Sequence, residues 1–242
     1  MPVLTNIVCA RLFGSRVRGD HDDVSDHDVL VVLEDKLNPD ALARIEDEVS
    51  LELGVRVDVS FYSETHLRKL FEGGHLFAWH LWRESVPLAG RIPDLIEIIG
   101  PPEANTDARQ EIQDLLLLLC SIPSKRLNSR TLVYDAGILY VIIRNVGTSA
   151  TWFFGPSRLD FGRYSPWALN RLGGPPPPID EEGYHRLLHA RKAGMAGLPA
   201  PAISLEELRR WYDQTAAWIG AVCRQIDSSL SDGEIEAFLT KL

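Results

Sequence analysis

The residues with the clearest chemistry lie in one stretch, Leu12 to Leu33, LFGSRVRGDHDDVSDHDVLVVL. Asp26 and Asp28 flank His27 there, just ahead of the apolar run Val29 to Leu33. The run is short, β-branched-rich and bounded by polar residues, which predicts a strand. Side chains on a strand alternate faces, so Asp26 and Asp28 point one way and His27 the other. Two carboxylates aimed at one spot repel each other unless a cation sits between them. Hard oxygen ligands suit Mg²⁺, which is usually shared with substrate phosphates. Gly14-Ser15 ends the preceding apolar run, which begins at Val8. A glycine lets the backbone approach a ligand closely, and the serine offers a hydroxyl and an N–H to a phosphate oxygen. A third acid, Asp58, alternates with Val57 and Val59 in the strand-like run Val55 to Phe61. It should project to the face opposite theirs and complete a metal–triphosphate site.

Gly14-Ser15, ten residues, then Asp26-His27-Asp28 resembles the signature of the DNA polymerase β-like nucleotidyltransferase superfamily. The spacing is similar to that of the minimal nucleotidyltransferases, including the antitoxin group paired with HEPN proteins. It is also similar to that of the aminoglycoside nucleotidyltransferases. The resemblance spans Val8 to Phe61. It implies that Asp26, Asp28 and Asp58 are catalytic and hold Mg²⁺, and that Gly14, Ser15 and Ser25 meet the nucleotide. In the acidic loop Arg16 and Arg18 either hold triphosphate oxygens or neutralise Asp20, Asp22 and Asp23 on a solvated surface. The reaction it implies moves a nucleoside monophosphate, AMP from ATP, onto an acceptor hydroxyl, with pyrophosphate leaving. Asp58 would share a second Mg²⁺ that activates the acceptor, or take its proton directly. The acceptor is a small molecule such as an aminoglycoside, or a protein. The alternative is a toxin–antitoxin-type interaction protein that binds a partner without turnover. Two features depart from the family pattern. His27 stands where an apolar residue is usual, and Met1 to Asn6 is too short for the helix that often precedes the first strand.

The rest of the sequence bounds these readings. Its 242 residues fit one large or two small domains, and 45% hydrophobic with 24% charged content is ordinary for a globular chain. A net charge of −9 disfavours a nucleic-acid partner, because a phosphate backbone is normally met by a basic excess. It suits a cationic acceptor. Cys9, Cys120 and Cys223 are far apart and embedded in apolar runs, the pattern of buried thiols in a reducing compartment. No signal-peptide pattern precedes the first strand, and the longest apolar run, Leu115 to Cys120, is too short to span a bilayer. The expectation is a soluble cytoplasmic protein without a membrane partner, compatible with an oligomer.

Elements that would position the acids follow from periodicity. Strands are expected over 8–14, 28–34 and 55–61, with a loop over 15–25 between the first two. A helix follows Asn38-Pro39-Asp40, with Leu42, Ile45, Val49 and Leu53 at helical spacing and Gly54 as its stop. Ser63-Glu64-Thr65 opens another, Val86-Pro87-Leu88 reads as a short edge strand, and a helical turn runs to Ile99. His75 and His80 read as residues that cap or flank a buried helix. This is an α/β nucleotidyltransferase domain over 1–100, a small mixed sheet with helices. Gly100 to Asn105 marks the boundary. Residues 101–242 then read as an all-α helical bundle. It has helices over 106–121 and 129–146, around 166–172, over 181–193, from the Ser204–Glu207 capping box to about 228, and over 231–242. The run 129–146 is apolar nearly all round and should be central. Arg144, with no histidine at Ser149, Ala150 or Thr151, does not complete a HEPN ribonuclease motif and reads best as a paired core charge.

Overall fold

The apolar run after Asp26 becomes an inner strand, and the neighbouring runs line up on either side of it. The computed structural model describes residues 7–21, 26–34, 39–55, 57–90, 94–121 and 131–226. Ser25 and the helix expected over 231–242 lie outside them, as does Met1 to Asn6. Two compact units divide the chain, Met1–Asp107 and Ala108–Leu242.

The first unit holds a mixed four-stranded sheet among the described residues, in the order β3-β2-β1-β4. The strands are β1 (Ile7–Phe13), β2 (His27–Leu33), β3 (Val57–Ser63) and β4 (Val86–Gly90). β1 pairs antiparallel with both β2 and β4, whereas β2 and β3 run parallel. The parallel pair needs a crossover, which is the helix α2 (Pro39–Leu53). β4 takes an edge, where Pro87 is tolerated because it has no N–H to donate. Alternation sorts the side chains into two layers. Val29, Val31 and Leu33 pack with Ala10, Val57 and Ile45 of α2. Leu30 and Val32 pack on the opposite face with Phe13, Leu67, Phe71, Ala78 and Leu81. The latter come from β1 and from α3 (Glu64–Glu72) and α4 (Leu76–Glu84).

Capping fixes where these helices begin. Ser63 Oγ accepts from the His66 N–H at the start of α3, and His75 Nδ1 accepts from the Phe77 N–H at the start of α4, at 3.1 and 3.2 Å. α5 (Leu95–Ile99) starts with a full capping box between Asp94 and Glu97. Asp94 also takes a hydrogen bond of 2.7 Å from Arg11 Nη1 on β1, and both side chains are only 7% exposed. Arg11 further donates from Nε to Ser85 Oγ and from Nη2 to the Ser85 carbonyl, at 2.7 and 2.9 Å. One guanidinium thus ties β1, the end of α4 and the start of α5 together. The first unit extends past Gly100 because the chain folds back on α3 and α4. The Glu103 N–H donates to the Phe71 carbonyl at 2.9 Å, and Trp79 Nε1 donates to the Glu103 carbonyl at 3.0 Å.

The second unit has helices and no strand among its described residues: α6 (Ala108–Ser121), α7 (Leu132–Thr151), two 3-10 turns at Trp152–Phe154 and Pro156–Arg158, α8 (Ser165–Arg171), α9 (Glu181–Ala196) and α10 (Leu205–Ile226). α7 packs against α6, α8, α9 and α10 and buries Ala136, Leu139, Tyr140, Ile142, Ile143 and Val146. It is central because its sequence is apolar on nearly every side, and it runs five residues beyond the expected end at Val146. Close helix contact explains two glycines. A Cβ at Gly137 would lie 3.0 Å from the Arg191 backbone, and one at Gly147 would lie 2.7 Å from the Pro166 nitrogen. Arg144 is a brace, donating to the Phe161 carbonyl at 2.6 Å and to Asn145 Oδ1 at 3.1 Å. The capping box of α10 forms reciprocally between Ser204 and Glu207. Glu207 also takes a fork of two bonds from Arg186, at 2.9 and 3.1 Å.

No helix of the described residues is long and apolar enough to cross a membrane. Cys9, Cys120 and Cys223 are free thiols. Burial, together with the Asp94 charge, pushes the Cys9 thiol up to about 12, so it is inert as a nucleophile.

Two outcomes are expected. Arg11→Leu strands the buried Asp94 carboxylate, so thermal and urea unfolding should register a loss of about 3–5 kcal/mol. The Glu207 carboxyl is held down at about 2 by the Arg186 hydrogen bonds and then by Ser204. Its folded value lies below the unfolded one. The stability it contributes is therefore present above the ordinary glutamate range and is lost as pH falls towards 2. Melting temperatures of wild type and Glu207→Gln, measured down this acid range, should converge.

Candidate active site

β2 and β3 bring two acids side by side. In their parallel register His27 stands opposite Val57, Asp28 opposite Asp58 and Val29 opposite Val59. Partners in register share a face, so Asp28 and Asp58 lie on the same face as Leu30 and Val32, towards α3 and α4. Asp58 is exposed and Asp28 half-buried, at the end of the sheet where helix cover runs out. Asp26 is exposed just ahead of β2. Among the described residues, no three His, Cys, Asp or Glu side chains stand close enough together to hold a metal ion. The expected trio is thus an adjacent pair, Asp28 and Asp58, with Asp26 at the strand entrance. His27 faces the α2 side. Burial, then the positive charges of Arg16 and His21, lower its pKa from the ordinary histidine value, against the opposing pull of Asp26.

The Gly14-Ser15 turn abuts this pair. Phe13, the last residue of β1, is the antiparallel partner of Asp28. Gly14 then takes φ +77° and ψ −154°, a conformation open to glycine and strained for other residues. A Cβ built on Gly14 would lie 2.1 Å from Asp28 Oδ2. The absent side chain is therefore what leaves the carboxylate in place. Downstream, residues expected to form a loop coil into one turn of helix, α1 (Ser15–Arg18). Sequence periodicity cannot register so short a turn. It closes when Gly19 takes a left-handed conformation and donates to the Ser15 carbonyl at 3.0 Å.

Of the expected nucleotide-binding residues, Gly14 and Ser15 sit at the acid pair, and Arg16 and Arg18 lie on α1. Ser25 is outside the described residues. Arg18 has protein partners already. Its Nη1 donates to Glu84 Oε2 at 3.0 Å and lies 3.2 Å from His80 Nε2, while its Nε is 3.3 Å from Asp20 Oδ1. Burial alone would raise the Glu84 carboxyl, but the hydrogen bonds from His80 and Arg18 outweigh it and leave it below the ordinary value. His80 and Glu84 are 62 and 66 residues from Arg18. No spacing rule reaches that far, and the one local hint was an acid at the C-terminal end of a helix, where a carboxylate is disfavoured.

The donor set suits a divalent cation of the hard, oxygen-seeking kind. Asp28 and Asp58 are like-charged neighbours, and the side of Asp28 that a Cβ would fill is left clear by Gly14. Gly14→Ala should be strained by about 1–3 kcal/mol, and a lowered melting temperature with an otherwise native circular dichroism spectrum would register it.

Residues 5–75 match the family model described as a nucleotidyltransferase domain. None of the curated proteins matches the sequence. The solved structure of spectinomycin adenyltransferase AAD(9) from Enterococcus faecialis, determined with ATP and spectinomycin, is 14% identical. It aligns over 92% of this chain and 94% of its own at a TM-score of 0.53. A toxin–antitoxin structure with AMP-PNP (20% identity) and one of the MntA–HpeT pair (18%) each cover 50% of this chain and 90% of their own. Their TM-score of 0.30 is too low to support a shared fold. The small mixed sheet with its helices and the helical remainder are the adenyltransferase fold. Residues 5–75 are thus similar to a nucleotidyltransferase domain, and the chain shares the fold of an adenyltransferase.

Proposed function

We propose that this protein transfers AMP from ATP to a hydroxyl of a small cationic acceptor of the aminoglycoside type, releasing pyrophosphate. The observation that carries the reading is the placement of Asp28 opposite Asp58 with the Gly14-Ser15 turn against Asp28. The fold, shared over both units with an adenyltransferase solved with ATP and spectinomycin, supports the choice of nucleotide and of a small acceptor. A net charge of −9 favours a cation over a nucleic acid. Three free thiols suit a reducing, cytoplasmic setting.

In this reading Asp28, with Asp58 opposite it and Asp26 at the entrance of β2, would hold Mg²⁺, which would supply charge neutralisation for the triphosphate. Ser15 offers its hydroxyl and Gly14 its uncluttered backbone to the β- and γ-phosphates. Asp58 faces the acceptor and takes the proton of its hydroxyl. The acceptor oxygen then forms a bond to the α-phosphorus, the bond from that phosphorus to the bridging oxygen of pyrophosphate breaks, and the proton passes from Asp58 to solvent. Arg16 lies next to Ser15 on α1 and adds positive charge to a rim that is otherwise acidic.

A transfer assay with α-³²P-labelled ATP, GTP, CTP or UTP, Mg²⁺ and separated small-molecule, protein and RNA fractions tests the proposal. Label should pass from ATP to the small-molecule fraction and to purified spectinomycin or streptomycin. Asp28→Asn should lower the rate by more than the roughly 10–100-fold that loss of an outer-shell partner costs a metal site, with the fold intact. Wild-type rates in Asp28→Asn would overturn the assignment. Label in the protein fraction alone would replace the small acceptor by a protein hydroxyl.

A further inference from the structure

The turn that carries Gly14 and Ser15 is short. α1 is four residues long, buries no side chain and has no side-chain cap. A single turn of helix is unstable by itself, because nucleation fixes several residues for one hydrogen bond. Its internal bonds are Arg18 N–H to the Gly14 carbonyl at 3.2 Å and Gly19 and Asp20 N–H to the Ser15 carbonyl at 3.0 and 3.2 Å. External support comes from α4, and it comes at both ends of the turn. Ahead of Gly14, the Phe13 ring meets Phe77 and His80 edge-on, with centroids 5.7 and 5.5 Å apart. At the far end, Arg18 reaches Glu84 and His80.

Glu84 is placed oddly for any other purpose. It is the last residue of α4, where the helix dipole opposes a negative charge. Its side chain is only 16% exposed, matching that of Arg18. Three groups converge there: the carboxylate, the guanidinium and His80 Nε2, 3.2 Å from Glu84 Oε2. α4 itself is rigidly seated, with Leu76, Ala78, His80 and Leu81 buried. A charge-assisted bond from such an element can hold a short turn within a fraction of an ångström.

We propose that Glu84 is a positioning residue, which acts through Arg18 to lock the Gly14-Ser15 turn beside Asp28 in the shape that receives the triphosphate. His80 buttresses the pair from the α4 side. The inference rests on the nucleotidyl-transfer reading, and it assigns Arg18 an anchoring role in place of direct phosphate contact.

Calorimetry with the full chain and MgATP, without acceptor, tests it. Glu84→Gln should weaken MgATP binding by about tenfold or more, the scale of one charge-assisted hydrogen bond. The affinity for AMP, which lacks the β- and γ-phosphates, should change by less than about twofold. Arg18→Gln should reproduce the loss, and the double variant should be no weaker than the worse single one, because both changes break one link. Glu84→Asp should recover part of the affinity. General loosening of the fold would instead lower MgATP and AMP binding together, and that result overturns the proposal. So does a Glu84→Gln variant that binds MgATP as well as wild type. Tighter binding overturns it too, since Glu84 would then compete with the triphosphate for Arg18. Additive losses in the double variant also refute the link. If wild type itself binds no MgATP, the nucleotidyl-transfer reading falls and this inference with it. A wild type that binds while both single variants bind equally well removes the inference alone.

Discussion

Two carboxylates in register on adjacent parallel strands are the constraint on which the first unit turns. Asp28 and Asp58 face the same side of the sheet, and neighbouring like charges destabilise each other unless something uses them. The fold accommodates the pair by placing it at the end of the strands, where Asp58 reaches solvent and Asp28 is half-buried. One residue earlier or later in the β2–β3 register would move one of them to the α2 face among Val29, Val31 and Val57. The apolar layers on both faces therefore set the chemistry of the site, because they fix the register.

The turn next to this pair obeys a second steric rule. Gly14 approaches Asp28 so closely that no Cβ fits, and its positive φ suits no other residue well. Strain of this kind persists only where surrounding contacts hold it. Arg11 supplies one set of those contacts by joining β1 to Asp94 and Ser85 from inside the core. α4 supplies the other through Phe13, Arg18, His80 and Glu84. α4 with the adjoining Ser85, and Asp94 at the start of α5, thus hold the chain on either side of Gly14.

In the second unit the organising element is α7. Its small residues Gly137 and Gly147 admit α9 and α8 at close range, and its apolar surface is covered by four helices. Two buried hydroxyls find carbonyl partners: Ser165 Oγ donates to the Arg144 carbonyl at 2.6 Å, and Tyr184 Oη donates to the Arg163 carbonyl at 2.5 Å. Arg186 lies over the Trp211 ring at 5.2 Å while gripping Glu207. The result is a well-braced bundle in which the arginines inside serve packing.

The sequence by itself determined the local quantities. Alternation in Val29–Leu33 and in Val57–Phe61, the 3.6-residue spacing in α2, and the caps at Ser63 and Ser204 are properties of neighbours, so periodicity and side-chain chemistry suffice to read them. The same holds for Gly14-Ser15 and Asp26-His27-Asp28, whose types and spacing already pointed to a phosphate and metal chemistry. Tertiary structure decided what depends on distance across the fold. It made β2 and β3 parallel and so set Asp28 against Asp58. It brought the Asp28 carboxylate to within a methyl group of Gly14. It coiled the residues around Arg18 into a helical turn and made Arg18 the partner of Glu84, and Arg11 the partner of Asp94. Each of those pairings joins residues 30 to 83 positions apart or a backbone dihedral to a distant side chain. Only the packing of α2 on one face and of α3, α4 and α5 on the other brings them together, because a one-dimensional pattern carries the faces of each element but not the partner that each face will meet.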